Sequence, residues 1–255
     1  MKSEPHYRRP LNDQQIHILH TLYRFRFTTT ELLMQTEGAT NKHKMNHRLK
    51  VLLDQDYIGR NYDPSYHLSG RHASYYLAAK GLKTLRAVPD STYSASVLRN
   101  MSKDKTASER FINHWLQIFD INCLLKSKYK ENIRLFTKSQ LAAYEYFPHP
   151  TPDIYIRLVR DGVESQYILD VVDSSQPIFV QLARIKKYQD YAEEGDWEDA
   201  TGTALPTVLL VCESTAQKNR LLKLAESELD DLDSDDITIE ITIKGEVSSV
   251  IDAKK

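Results

Sequence analysis

The charge of the chain changes sign near residue 90, and this reversal constrains the fold more than any other feature of the sequence. Residues 1–90 contain 14 Lys and Arg against 8 Asp and Glu, a net charge of +6, whereas residues 91–255 contain 20 against 27, a net charge of −7. Residues 89–108 are rich in Ser, Thr and other small polar residues. The 255 residues are also more than one compact core usually needs. We therefore predict a first domain over 1–88, a linker over 89–108 and a second domain over 109–255.

The composition excludes several classes of protein. Hydrophobic residues make up 41% of the chain and charged residues 27%, with 8 Gly and 9 Pro, which rules out collagen-like and wholly disordered chains. No apolar run approaches the roughly 18 to 20 residues that span a bilayer, and the first ten residues lack the apolar stretch of a secretory signal. We expect a cytoplasmic protein with no membrane partner. The two cysteines are too few for a disulfide framework.

Three helices are predicted at the start of the first domain, and a closing helix is predicted from Lys80. Asn12 and Asp13 are helix-capping residue types before an apolar series that ends near Phe25. A short second helix is closed by Gly38, a residue suited to left-handed backbone. In the third helix, which follows Thr40, apolar residues recur at helical spacing and form an inward stripe. The remaining positions are basic or polar, the order and pattern of a helix-turn-helix unit.

A hairpin is predicted after the third helix, and it completes a winged helix-turn-helix that would bind duplex DNA. The third helix would enter the major groove, where Lys and Arg gain free energy by releasing counterions. The candidate DNA-binding residues are Lys42, His43, Lys44, Asn46, His47 and Lys50 on the helix, and His67, Arg71 and His72 at the hairpin tip. The arginines expected to contact the DNA backbone are Arg8, Arg9, Arg24 and Arg26. Two alternatives stay open: a solvated helix face, or a protein-binding winged helix.

The second domain is predicted to be a small α/β sheet with the element order α-β-β-β-α-β-α-β. Its strongest local signal is a strand pair, Ile154 to Val159 and Tyr167 to Val172, joined by Asp161-Gly162. Asp153 begins the first strand and Asp170 lies near the end of the second. The two carboxylates are therefore predicted to lie side by side at a sheet edge.

This carboxylate pair could hold Mg²⁺, an ion that prefers oxygen ligands, and so support a nuclease. Such a nuclease also needs a positive group, usually a lysine two residues after the second acid, but Val172 occupies that position. The candidates are Asp153 and Asp170 as metal ligands, Lys186 or Lys187 as the positive group, Gln181 to orient water, and Asp173 as a further carboxylate. The alternative is structural: a strand-entry cap, a polar strand end and a solvated helix face.

Several short strings carry a family resemblance. They are RLKVLLDQDYIGR and YLAAKG in the first domain, and TPDIYI, YILDVVDSSQP and ARIKKYQDY in the second. Over roughly Leu11 to Cys212 the chain resembles the replication-relaxation family, DNA-associated proteins of plasmids and other mobile elements. The resemblance implies an α+β winged helix-turn-helix domain followed by an α/β PD-(D/E)XK nuclease-like domain, with acids at Asp153 and Asp170. The aspartate at 170 replaces the family's usual glutamate, and Val172 departs from the nuclease pattern.

The leading hypothesis for function is therefore a duplex DNA-binding protein that supports replication, relaxation or mobilisation of a plasmid or mobile element. Its acidic second domain would serve in dimerisation, in binding a relaxase or replication protein, or as a vestigial nuclease. The alternative is a Mg²⁺-dependent endonuclease that nicks DNA with Asp153 and Asp170. A second alternative is a protein-interaction adaptor or transcriptional regulator.

Overall fold

The structure, a computed structural model, describes residues 10–63, 66, 70, 72–88, 93–229, 232–234 and 236–253. The chain divides into two compact units, Met1–Ala107 and Ser108–Lys255. Each unit has its own buried hydrophobic cluster. None of the helices in these described ranges combines the length and apolar content needed to cross a bilayer.

The first unit contains five helices and a two-stranded antiparallel hairpin within its described residues. In chain order they are α1 (Asp13–Phe25), α2 (Thr30–Glu37), α3 (Lys42–Asp54), β1 (Ile58–Asn61), β2 (Ser74–Leu77), α4 (Ala79–Arg86) and α5 (Ala95–Met101). Side-chain caps fix where the first helices begin: Asn12 forms a capping box with Gln15, and Thr29 caps α2. Gly38 ends α2 with φ of 60°. These ends agree with the predicted helices.

The core of the first unit joins α1, α3, the hairpin and the closing helices. Leu22 of α1, Leu49 of α3 and Leu77 of β2 are 2% exposed or less. Thr28, between α1 and α2, pairs with Tyr75 through two backbone hydrogen bonds of 2.8 and 3.1 Å. This pairing attaches the segment before α2 to the hairpin, so α2 and α3 are held against the hairpin.

The segment 89–108 differs from the expected linker. It contains α5, capped by Ser94, and a 3-10 turn over Asp104–Thr106. Leu98 and Met101 of α5 are 1% exposed and belong to the core of the first unit. Only these two residues of the seven in the helix are buried, too few for a recognisable periodic pattern in a Ser- and Thr-rich sequence. The first unit therefore extends to Ala107.

The second unit contains a five-stranded mixed sheet with the strand order β3-β4-β5-β6-β7. Its elements are α6 (Glu109–Tyr129), β3 (Ile133–Thr137), α7 (Lys138–Leu141), β4 (Ile154–Arg160), β5 (Val163–Val171), α8 (Ile178–Glu194), α9 (Asp196–Thr201), β6 (Thr207–Cys212), α10 (Thr215–Glu228), β7 (Ile239–Ile243) and α11 (Val247–Ala253). Strands β3, β4 and β5 are antiparallel, and β5, β6 and β7 are parallel. This is the predicted order with three short helices added, α7, α9 and α11.

The register of the central strands sets up the predicted acid pair. In the antiparallel ladder Ile154 of β4 is opposite Leu169 of β5. One step further along, Asp153 is therefore opposite Asp170. Asp170 also pairs with Leu210 of β6 in the parallel ladder, so it lies inside the sheet rather than at an open edge. Both aspartates are buried, at 5% and 8% exposure.

Candidate functional site

The first candidate surface is the outer face of α3. Met45, Leu49 and Leu52 are at most 1% exposed and fix the helix against the core. The six predicted DNA-binding residues of this helix, Lys42, His43, Lys44, Asn46, His47 and Lys50, are all exposed. A shallow hollow of about 380 Å³ lies beside them and is lined by Asn41, His43, Lys44, His47 and Arg48. The face is open to a ligand.

The lysines of this face differ in their ion pairs. Lys42 Nζ lies 2.7 Å from Glu31, and this hydrogen bond raises the pKa of Lys42. Lys50 Nζ lies 2.6 Å from Asp54. Lys44 forms no ion pair with any described residue. Since an exposed ion pair must open before its lysine can bind an anion, Lys44 is the most available lysine of this helix.

The remaining basic candidates fall into two groups. Arg8, Arg9, His67 and Arg71 lie outside the described residues. His72 is exposed, with Nδ1 3.6 Å from Glu31, and Arg24 lies over the ring of Phe25 at 5.0 Å. Arg26 differs from the expected DNA contact, because its guanidinium pairs with the buried carboxylate of Asp104 and is only 16% exposed. That pair ties the end of α1 to the 3-10 turn after α5, a structural role.

The second candidate site is the buried Asp153–Asp170 pair, in which each carboxylate oxygen accepts a hydrogen bond from the protein. Oδ1 of Asp170 accepts from the Asp153 backbone N–H at 2.9 Å. Oδ2 of Asp170 accepts from Arg184 Nε at 2.5 Å and from the Tyr188 hydroxyl at 2.8 Å. Oδ1 of Asp153 accepts from His114 Nε2 at 3.2 Å, and Oδ2 from the Val171 backbone N–H at 3.0 Å. Every oxygen of the two acids therefore has at least one hydrogen-bond partner within the protein.

These contacts shift the pKa values of Asp153, His114 and Tyr188. Burial by itself raises the pKa of the Asp153 carboxyl, but the hydrogen bond from His114 and the charges of His114 and Lys138 bring it below its ordinary value. Burial lowers the pKa of His114, but its hydrogen bond to Asp153 and the two carboxylate charges raise it overall. Burial, with the Asp170 charge, also raises the pKa of Tyr188 well above its ordinary value. The contacts therefore favour the charged forms of Asp153 and His114.

A cavity of about 620 Å³ opens beside these acids. Lys187 lines it and is exposed, whereas Lys186 is exposed but is not part of the lining. The two lysines are adjacent in α8 and so point about 100° apart around the helix. Arg184 and Lys187 are three residues apart and lie on the same face of α8. The structure therefore selects Lys187 of the two lysines that the sequence offered as the positive group.

Gln181 and Asp173 are tied to neighbouring groups. The Gln181 amide donates to the backbone carbonyl of Gln176 at 2.8 Å, and its oxygen accepts from Gln217 at 3.3 Å. The sequence predicts that Gln181 orients a water, and these hydrogen bonds hold its amide in place beside the cavity. Asp173 accepts from Arg110 and from Ser175, and these contacts keep its pKa below the ordinary value despite partial burial.

Sequence reasoning missed His114, Arg184 and Tyr188 as members of this network. His114 lies on α6, about 40 residues before Asp153, so nothing in the local sequence connects them. Arg184 and Tyr188 could have been found, because they are four residues apart on one face of the helix after β5. Their string, ARIKKYQDY, is also one of those that carry the family resemblance.

The residues present do not fit a Mg²⁺ site. Within the described ranges, no three His, Cys, Asp or Glu side chains are grouped so as to hold a metal ion. Mg²⁺ prefers six oxygen ligands in octahedral geometry. Here the guanidinium of Arg184, at 2.5 Å from Asp170, supplies the positive charge that a metal would supply. No reaction step can be derived through a metal at this position.

Comparison with known proteins identifies the family. The family model described as replication-relaxation matches residues 19–207. No curated protein matches the sequence. Two solved structures are similar to the chain: restriction endonuclease FokI, at 13% identity and a TM-score of 0.31, and FokI bound to DNA, at 13% and 0.29. Each alignment covers 92% of this chain but only 43% or 44% of the FokI chain.

The FokI likeness is too weak to support a conclusion about fold or function, since both the identity and the TM-scores are low. The family match is different, because it extends from α1 to the start of β6 and so includes both units. The family that the short strings suggested is therefore confirmed: the chain belongs to the replication-relaxation family.

Proposed function

We propose that this protein binds duplex DNA through α3, with the first unit acting as a winged helix-turn-helix and β1 and β2 forming the wing. The observation that carries the proposal is the exposed basic and polar face of α3, opposite a fully buried apolar stripe. A helix about 10 to 12 Å across matches the width of the major groove. The hairpin follows directly, which is the order of elements in winged helices.

Electrostatics supports the same surface. The first 90 residues carry a net charge of +6, although the whole chain carries −1. Each Lys or Arg that neutralises a phosphate releases a condensed counterion, so binding is favoured at low salt. Asn46, whose Oδ1 accepts from Thr30 at 3.1 Å, keeps its amide N–H₂ available to a base edge.

The biological setting we propose is replication, relaxation or mobilisation of a plasmid or mobile element, supported by membership of the family. In this setting the acidic second unit binds protein partners, such as a relaxase, a replication protein or a second copy of the chain. We do not propose nicking by Asp153 and Asp170, because their oxygens are engaged by Arg184, Tyr188, His114 and backbone N–H groups.

Titration of a fluorescent duplex with the intact protein tests the proposal. Lys44→Ala removes one phosphate contact, so we expect weaker binding to all duplexes and a slope of log K against log salt that is smaller by about 0.9. Lys223→Ala is the matched control, since it removes an exposed lysine from α10 of the second unit. Affinity and slope that do not change in Lys44→Ala, or that change equally in both variants, would remove α3 as the contact surface.

A further inference from the structure

The cavity beside the paired aspartates has an excess of available positive charge. It is lined by Arg110, Lys138, Arg184 and Lys187, together with Asp153, Asp170 and Asp173. Each of these carboxylates already accepts hydrogen bonds from protein groups, which reduces its capacity to bind a cation. Lys187 forms no ion pair with any described residue, and Lys138 acts on Asp153 as a nearby charge without a close ion pair among the described residues. The charge that remains without a close partner in the cavity is therefore positive, and it favours a bound anion.

Arg184 adds a second, independent observation. Its Nε and one terminal nitrogen are used by Asp170 and Tyr188. Its other terminal nitrogen, Nη1, is buried and has no hydrogen-bond partner in the part of the chain that is described. A buried guanidinium nitrogen without an acceptor is costly. A phosphate oxygen is an acceptor that guanidinium groups bind well.

One wall of the cavity is aromatic. Phe111 lines it and keeps 37% of its surface exposed, while its ring contacts Trp115 edge-on with centroids 6.3 Å apart. An exposed aromatic ring is a platform on which a nucleobase can stack. The volume of about 620 Å³ is within the range of small-ligand sites. Cations and an aromatic wall together match a nucleotide.

We propose that this cavity binds the phosphate of a nucleotide without a metal ion, through Lys187, Lys138 and the free nitrogen of Arg184, with Phe111 against the base. The phosphate comes either from a free mononucleotide or from the end of a nucleic-acid strand. Arg184 supplies the positive charge beside Asp170 that a metal would otherwise supply, and its guanidinium can also attract an anion. The proposal is independent of the DNA contact assigned to α3.

Isothermal titration calorimetry of the intact protein in EDTA tests the site. The probes are inorganic phosphate, a deoxynucleoside 5′-monophosphate, and a single-stranded tetranucleotide with either a 5′-phosphate or a 5′-hydroxyl. We expect the phosphorylated probes to bind and Lys187→Ala to weaken them about tenfold, the loss of one charge-assisted hydrogen bond. Lys186→Ala is the matched control, because Lys186 is the adjacent exposed lysine and does not line the cavity.

The results distinguish a free nucleotide from a strand end, and they distinguish this site from the duplex contact of α3. Tighter binding of the mononucleotide identifies a free nucleotide, and tighter binding of the 5′-phosphorylated strand identifies a strand end; both support the site. Lys44→Ala should bind these probes normally, which separates this site from the duplex contact. No binding in EDTA, binding only with Mg²⁺, equal binding of the 5′-hydroxyl strand, or equal losses in Lys186→Ala and Lys187→Ala would overturn the proposal.

Discussion

At Asp170 a carboxylate accepts hydrogen bonds from Arg184 and Tyr188 in a site that is nearly closed to solvent. The Asp170 and Arg184 side chains are only 11% and 18% exposed. A second Asp–Arg pair in the same unit, Asp173 with Arg110, is far more open, since Arg110 is 50% exposed. The two pairs therefore offer a direct comparison of buried and exposed charge.

We predict that Asp170→Asn lowers the free energy of unfolding of the second unit by about 3 kcal/mol, because it leaves the Arg184 charge buried without its partner. Asp173→Asn should cost less than about 1 kcal/mol, as for other exposed pairs. Urea unfolding followed by tryptophan fluorescence measures both, since Trp115 and Trp197 are the two tryptophans of the chain and both belong to this unit. Equal losses would show that burial does not govern the Asp170 pair.

Part of this site could be predicted from residues and part could not. Asp153 and Asp170 were predicted to lie together because the hairpin at Asp161-Gly162 fixes their register, and the structure has them opposite each other. The choice between Lys186 and Lys187 depends on the rotation of α8 against the sheet, which the sequence does not fix. His114 comes from a helix distant along the chain, and only tertiary packing brings it to Asp153.

Among the elements, those with local signals were predictable. Helices α1 to α3 have capping residues and an apolar period, and the hairpin has turn residues between two short strands. Helix α5 has only a cap and two buried residues, so long-range packing on the first core decides its formation. The short helix α7 depends on a capping box between Thr137 and Gln140, a signal present in the sequence but spanning a single turn.

The junction of α4 with the hairpin depends on a glycine. A Cβ at Gly81 would lie 2.2 Å from the backbone carbonyl oxygen of Tyr57, an atom that cannot move aside easily. We predict that Gly81→Ala destabilises the first unit by about 1 to 3 kcal/mol through overpacking. A loss of stability would be informative, because alanine in a helix interior otherwise stabilises the helix by about 1 kcal/mol relative to glycine.

Gly245→Ala is the matched control for this substitution, since a Cβ there meets nothing within 4 Å. Thermal unfolding by circular dichroism measures the loss in each variant, and tryptophan fluorescence shows whether the second unit is unaffected. A Gly81→Ala protein as stable as the parent would show that α4 does not pack as closely on Tyr57 as described.

Over the whole molecule, the distribution of charge and the family match both support the proposed function. The net charge of −1 results from two opposite parts, so an average over the chain hides a basic region suited to DNA. The family match includes elements of both units. The second unit contains the paired aspartates, but protein groups engage their oxygens, and the cavity beside them retains lysines. These features support the proposal that the first unit binds DNA.

The most direct measurement is photo-crosslinking to duplex DNA from a benzophenone amino acid placed at His47, on the outer face of α3, or at Lys223, on α10. The proposed contact through α3 predicts crosslinks from position 47 that an excess of unlabelled duplex removes, and none above background from position 223. Crosslinks from position 223 without any from position 47, at a salt concentration where the protein binds the duplex, would contradict it.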